Sequence, residues 1–345
     1  MKNDRILLAH GSGGKLSEEL IRTIFLPAFG NPELARMDDS AVLLSTLSQR
    51  ERENGSYRLA FTTDCHVVKP LFFQGGDIGR LAVCGTVNDL AMVGARPLCL
   101  TAGFILEEGL PIETLQKVVV SMKEAAEEAG VSIVAGDTKV VERGSADGLF
   151  ITSSAVGVVP KGIDISGGNA RPGDVVLLSG SIGDHGIAVL SRREGLEFGV
   201  PVSSDVAPLN HLVEAMVEVC PHLRCMRDPT RGGLATTLNE LARQSGVAIQ
   251  IEESRIPVRP PVQAACEMLG FDPLYVANEG KLVAISPPED ADALLEAMRG
   301  ARYGEDAQII GKVLEAPVGK VLMKTRIGGT RIVQMLMGEM LPRIC

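Results

Sequence analysis

Five acidic points punctuate an otherwise apolar or glycine-rich chain: the pair Asp38 and Asp39, then Asp64, Asp89, Asp137 and Asp228. Each falls where the surrounding pattern ends a strand or a helix. One aspartate at such a place is a cap or a turn residue. Several together are a different matter, because converging carboxylates repel unless cations hold them. An all-oxygen ligand set of this kind suits Mg²⁺, which normally brings substrate phosphates with it. No Cys/His spacing points to zinc. The second chemical feature is the end of the chain, Leu341-Pro342-Arg343-Ile344-Cys345. A thiol there has its own α-carboxylate as a neighbour, which disfavours the thiolate, so attack needs a base or cation from elsewhere. Pro342 biases Leu341 toward extended backbone. Leu341 and Ile344 supply apolar side chains that fit a groove.

Near the start, His10-Gly11-Ser12-Gly13-Gly14-Lys15 follows an apolar run. Backbone N–H groups of such a loop can cradle phosphate and Lys15 can neutralise it, although the spacing is not that of a P-loop.

The elements that must position these groups alternate between strand and helix. Strands are expected over Leu34–Ser45, Tyr57–Val68, Pro97–Leu106, Ser132–Glu142 and Leu149–Val159, with helices over Gly76–Val93 and Pro111–Ala129. The first helix is expected to keep its apolar residues on one side. A Gly-, Pro- and polar-rich joint, residues 162–174, marks a domain boundary. Beyond it, helices are expected over Asp184–Arg193, Pro208–Val219, Leu234–Gln244, Pro260–Leu269 and Ala291–Arg299. Strands fall between them, including Leu274–Ile285, interrupted at Asn278-Glu279-Gly280. The reading is a two-domain α/β (α+β) chain: residues 1–162, residues 163–336, and a tail, 337–345, that carries Cys345.

Composition narrows the function. The 345 residues are 45% apolar, with 38 glycines, no tryptophan and 3% aromatics. A net charge of −9 and few aromatics argue against a nucleic-acid surface, a base-stacking platform or an anionic membrane as partner. No apolar run is long enough to span a membrane and no secretory signal pattern opens the chain. The seven cysteines are odd in number and form no CxxC pair, which fits a reducing, cytoplasmic setting. Cys84 and Cys99 read as core thiols.

The series Asp38-Asp39-Ser40-Ala41, Thr62-Thr63-Asp64, Val87-Asn88-Asp89-Leu90-Ala91, Ala135-Gly136-Asp137-Thr138 and Arg227-Asp228-Pro229-Thr230-Arg231-Gly232-Gly233 resembles the ATP-dependent superfamily of aminoimidazole ribonucleotide synthetase and selenophosphate synthetase. With His10–Lys15 and the terminal Cys345, the chain is similar to the carbamoyl dehydratases of nickel–iron hydrogenase maturation. The resemblance covers essentially the whole chain. It implies a two-domain PurM-like fold whose N-terminal sheet closes a β-barrel with that of a second subunit, a homodimer, with ATP in a groove beside the barrel.

By motif match, Asp39, Asp89 and Asp228 would hold Mg²⁺, with Asp64 and Asp137 near the phosphates and sharing the metal. Asp38, Asn88, Gly136 and Thr138 would line the nucleotide. The implied reaction turns a carbamoyl group on the Cys345 sulfur into a thiocyanate. The implied partners are the carbamoyltransferase HypF and the iron-carrying HypC–HypD complex. Glu279 and Lys139 are the candidates for proton transfer, tuned by burial. His66 is expected to pack beside Asp64, and His185 to cap the helix after it. Two competing readings are a selenide-activating synthetase, which would want a reactive cysteine in the N-terminal loop where there is none, and a nucleotide-responsive scaffold.

Overall fold

Leu149 to Val159 alternates, and the strand it forms in the computed structural model buries every second residue, from Leu149 through Ser153 to Val159. That strand is the centre of a five-stranded sheet. The structure describes residues 7, 10, 14–29, 31–44, 58–196 and 200–336. In chain order the strands of the first half are β1 (Ala41–Leu44), β2 (Arg58–His66), the short pair β3 (Phe72–Phe73) and β4 (Gly76–Asp77), β5 (Arg96–Glu107), β6 (Ser132–Val141) and β7 (Leu149–Val159). The sheet runs β1-β2-β7-β5-β6, antiparallel except for the β5–β6 pair. Its helices are α1 (Lys15–Leu20) and α2 (Leu26–Phe29) at the start of the chain, then α3 (Ile78–Met92) and α4 (Ile112–Ala129).

The second half holds β8 (Val175–Leu178), β9 (Cys225–Arg227), β10 (Ala248–Glu252), β11 (Val283–Ser286), β12 (Gln308–Leu314), β13 (Lys320–Lys324) and β14 (Thr330–Val333). They form one sheet in the order β14-β13-β10-β12-β8-β11-β9. The last two pair antiparallel across the expected glycine turn, where Gly328 takes φ +89°. The helices are α5 (Asp184–Glu194), α6 (Asn210–Val219), α7 (Gly233–Gln244), α8 (Pro260–Leu269) and α9 (Ala291–Gly300).

α3 ties the halves together. Asp77 caps it, accepting from the N–H groups of Gly79 and Arg80. The sequence suggested an apolar stripe; instead the helix is buried on nearly all sides, because β2, β7, α4, α6 and β9 all pack on it. Glycine makes this possible: a Cβ at Gly79 would stand 2.4 Å from the Val118 carbonyl oxygen. One apolar cluster therefore runs through both halves, from Leu81 and Leu90 to Leu209, Met226 and Leu282. Cys84 lies in it, as expected; Cys99 is only half-buried.

Two expected strands are corrected. The one over Leu34–Ser45 shrinks to β1, because Leu34–Arg36 winds into a 3₁₀ turn and Met37 takes a left-handed φ of 55°. The strand over Leu274–Ile285 shrinks to β11. Pro273–Tyr275 forms a 3₁₀ turn, and 276–282 leaves the sheet because its backbone bonds to the side chains of Asp205, Asn88 and Ser179.

His185 does not cap a helix. It is the second residue of α5, fully buried, with Nδ1 2.8 Å from the Ser204 hydroxyl and its ring edge-on to Phe73. Burial pushes its pKa down to about 4 from an ordinary 6.5, against the opposing pull of Asp205. The folded state therefore binds fewer protons than the unfolded one between these values. The neutral ring's contribution is complete above pH 6.5 and is lost as pH falls toward 4. Between pH 7 and 4.5 the stability of the native protein should fall by about 2–3 kcal/mol more than that of His185→Gln, read from urea unfolding. Equal falls would show that His185 does not drive the loss.

Candidate active site

The turn before β1 sends its two aspartates in different directions. The strained φ of Met37 points its carbonyl at the second half of the chain. There it accepts from Arg227 Nη2 at 2.7 Å and Gln244 Nε2 at 3.1 Å. Asp38 turns to the inter-sheet loop, accepting from the Ser166 hydroxyl at 2.8 Å and the Gly167 N–H at 2.9 Å, and pairing with Arg36 at 3.1 Å. Asp39 turns to Arg227, 3.1 Å from its Nε.

Arg227 ends β9 with a side chain 7% exposed, and its Nη1 reaches Glu240 on α7 at 2.9 Å. Burial works against its charge, but Asp39 and Glu240 outweigh it and hold it charged. Burial also raises Asp39 and Glu240, and Arg227 pulls both back down.

Around this joint the other carboxylates gather. Asp89, near the end of α3, accepts from the Thr62 hydroxyl of β2 at 2.7 Å. Asp64, two residues on in β2, faces the same side, 3.5 Å from Arg231 Nη2 and 3.6 Å from His66 Nε2. Asp228 follows β9 directly. Burial, then Asp228, Asp64 and Asp39 in turn, push Asp89 well above the carboxylate range. Burial and Asp39 lift Asp228 to about 7. Glu279 is raised well above its ordinary value by burial and by Asp228, Asp64 and Asp205.

His66 packs beside Asp64 as expected. Burial lowers its pKa, and its Nε2 lies 3.0 Å from the Ser153 hydroxyl. The sequence motif contained Arg227, Arg231 and, further on, Glu240 without giving them roles. An arginine closing a short apolar strand was the available signal.

Two cavities meet at these groups, sharing Asp39, Asp89, Asp228, Thr230 and Arg231 as a common wall. The larger, about 450 Å³, runs beneath the N-terminal helices and is lined on that side by Leu20, Ile21 and Phe25. The smaller, about 260 Å³, is more polar and is lined by Asp64, Cys65, His66 and Glu279. An elongated ligand with an apolar end and a charged end would fit this pair of spaces. Among the described residues, no three His, Cys, Asp or Glu side chains are grouped to hold one ion by themselves. The crowded, partly neutralised charge suits the Mg²⁺ mode in which one or two carboxylates share the ion with phosphate oxygens and water.

The sequence-predicted set divides. Asp39, Asp64, Asp89, Asp228 and Glu279 come together at the cavities. Asn88, expected on the nucleotide, lies behind the cavity walls. Its amide is buried and spent on backbone, donating to the carbonyls of Ala207 and Glu279 and accepting from the Leu209 N–H. Asp38 likewise has its carboxylate on Ser166 and Gly167 and lines neither cavity. Lys15 opens α1 with an exposed side chain outside the cavity lining.

Gly136, Asp137, Thr138 and Lys139 lie on β6, the far edge of the sheet. Register carries Asp64 across Ser153 and Ala102 to Gly136. That is three strand spacings, about 14 Å. Asp137 and Lys139 are exposed, 4.0 Å apart. Within one chain, Glu279 lines the smaller cavity and Lys139 lines neither. Cys345 and Gly11–Gly13 lie outside the described residues.

The model of the AIR synthase related protein N-terminal domain matches residues 37–159 and that of the C-terminal domain residues 171–324. Carbamoyl dehydratase HypE of Cupriavidus necator is 55% identical over 345 residues, 100% of this chain and 96% of that protein. The chain belongs to the HypE carbamoyl dehydratase family. Two solved structures of the family agree with the fold. A HypE–HypF complex superposes with a TM-score of 0.86 at 50% identity, covering 92% of this chain and 99% of that one. HypE in complex with ATP gives 0.81 at 50% identity, covering 99% and 100%.

Removing one partner of a buried ion network leaves the others uncompensated. Arg227→Ala should cost about 3–5 kcal/mol in urea unfolding, and adding Asp39→Asn should recover part of that. A loss within 1 kcal/mol, or strictly additive losses, would refute the coupling.

Proposed function

We propose that the chain dehydrates a carbamoyl group carried on the Cys345 thiol to a thiocyanate at the expense of ATP, supplying the cyanide ligand of the nickel–iron hydrogenase iron centre. The observation that carries this reading is the paired cavity with its raised carboxylates, in a chain alike over its full length to a family named for that reaction and seen in complex with ATP. The chain's end is within reach. The Leu336 carbonyl accepts from the Lys15 N–H at 3.2 Å, beside Gly14, which lines the larger cavity. Cys345 is the ninth residue after Leu336, a reach of about 30 Å when extended.

Oxide is a poor leaving group, so the carbamoyl oxygen must first be phosphorylated. The oxygen attacks the γ-phosphorus, the P–O bond to ADP breaks, and the nitrogen gives up one proton. The C–O bond then breaks, phosphate leaves with its electron pair, and the nitrogen gives up its second proton to leave S–C≡N. The products are ADP, phosphate and one net proton, and the oxygen of the lost water ends in phosphate. Such transfer depends on positioning and charge neutralisation.

The larger cavity would take the nucleotide, with its apolar end against Leu20, Ile21 and Phe25. One or two of Asp39, Asp64, Asp89 and Asp228 would share each Mg²⁺ with phosphate oxygens and water, and the ion neutralises the phosphates when bound. Arg231, on the shared wall, would face the transferring phosphoryl group. Glu279, buried in the smaller cavity with a raised pKa, is suited to accept the proton from nitrogen.

Asp137 and Lys139 would serve such a site only across a subunit interface. They stand in the rows of the sheet face that also shows Phe61 and Ile105, both exposed apolar residues, and this is the surface a homodimer would cover. HypF, present in the solved complex with a relative, is the carbamoyl donor in this reading, and the HypC–HypD complex the acceptor. Among the described residues no helix is long and apolar enough to cross a membrane, in keeping with cytoplasmic work beside these partners.

The test is the mass of the Cys345 peptide after carbamoylation by the transferase and addition of Mg-ATP. It should drop by one water, with ADP formed, and Cys345→Ala should abolish both. A carbamoyl group that persists beside bound ATP would sink the proposal and favour the scaffold reading. Asp89→Asn and Asp228→Asn should each weaken Mg-ATP binding at least about tenfold by titration calorimetry, some 1.4 kcal/mol. Unchanged affinity in both would remove these carboxylates from the metal site.

A further inference from the structure

We infer that Asp205 is a positioning residue for Glu279, acting through the backbone of the Asn278-Glu279-Gly280 loop; the inference rests on the proposed role of Glu279 in proton transfer. Asp205 lines neither cavity, and its side chain is only 3% exposed. Its Oδ1 accepts the Glu279 N–H at 3.1 Å. On the other side of the same residue, the Glu279 carbonyl accepts from Asn88 Nδ2 at 3.3 Å. The preceding Asn278 is itself locked, its amide donating to Pro229 and Val276 carbonyls and accepting from the Gly183 N–H. The following residue admits no side chain, since a Cβ at Gly280 would stand 1.8 Å from the Asp205 carbonyl oxygen. The backbone of Glu279 is thus held from both sides and its neighbours cannot yield.

The chemistry of the clamp is not what packing alone would select. Asp205 Oδ2 is buried with no hydrogen-bond partner, and the cation nearest it, Lys281 Nζ, is 3.8 Å away while donating to the Gly280 carbonyl at 3.1 Å. A long buried ion pair of this kind gives little net stability, and apolar replacements of such pairs are often neutral or better. What the carboxylate does supply is a fixed acceptor for one particular N–H. That N–H belongs to the residue whose carboxyl group faces the reacting end of the cleft. A displacement of about 1 Å at such a group can cost on the order of a hundredfold in rate.

The test uses the full-length protein charged on Cys345 by its transferase partner, with thiocyanate formation followed against ATP concentration. Asp205→Ala should lower kcat about 10–100-fold while KM for ATP stays within about twofold, because the nucleotide end of the cleft is untouched. Asp205→Asn keeps an acceptor oxygen and should retain kcat within about threefold. Asp205→Ser leaves a polar group too short to reach the amide; it should show the same loss of kcat, and it replaces the alanine variant where that one does not fold. Wild-type kcat in the alanine or serine variant would overturn the inference. So would parallel losses of kcat and ATP affinity, or an asparagine variant as impaired as the alanine one. The underlying reading fails separately. If Glu279→Gln turns over at the wild-type rate, Glu279 has no part in the reaction and nothing is left to position. If it is inactive while Asp205→Ala is not, the positioning alone is overturned.

Discussion

Arg227 is the charge on which the two halves of the molecule agree. It stands on the second sheet, yet it is spent on the turn that precedes the first: on Asp39, on the Met37 carbonyl, and on Glu240 of the neighbouring helix. A guanidinium has five N–H donors in a planar fork, and these partners use donors on all three of its nitrogens. The match explains why the turn before β1 takes a strained conformation at Met37. Without it, Asp38 and Asp39 could not face opposite ways, one holding the inter-sheet loop and the other entering the cleft.

The cluster so formed is electrically incomplete. Four aspartates and Glu279 face one another, with Arg227 already committed and Arg231 partly exposed on the shared wall. Burial raises Asp89, Asp228 and Glu279 rather than stabilising their charges. Near neutrality such a site gains from any cation that enters, and a divalent ion arriving with phosphates is the natural complement. The walls are packed together, because one apolar cluster spans both sheets and includes α3.

The fold was largely legible in the sequence because alternation and punctuation carry it: the expected strand over Leu149–Val159 and helix over Pro260–Leu269 coincide with β7 and α8. The acidic motifs converged as their positions at element ends suggested. What was not legible was direction. Asp38 and Asp39 are adjacent and chemically identical, and only the left-handed Met37, set by contacts nearly two hundred residues away, separates a structural carboxylate from a cleft one. Asn88 sits one residue from Asp89 on a helix, about 100° around its axis, so one side chain reaches the cleft and the other cannot. The expected interruption of the 274–285 strand at Asn278-Glu279-Gly280 is wider than the sequence suggested, and for the same reason that Glu279 is usable: backbone bonds there are taken by Asp205, Asn88 and Pro229 instead of by a sheet.

The place of the last described residue gives the arrangement its economy. A thiol delivered by a free partner would need its own binding surface beside the phosphates. Here the chain leaves the second sheet at β14 and returns to the wall of the cleft, where Leu336 is bonded to the first turn of α1. On the proposed reading, a tether of this length would act as an effective thiol concentration on the millimolar scale. The small polar cavity would then, on the same reading, need only to orient a carbamoyl group, not to capture it. Such a role would fit a lining of Asp64, His66 and Glu279 rather than an apolar pocket, with the larger cavity left for the nucleotide.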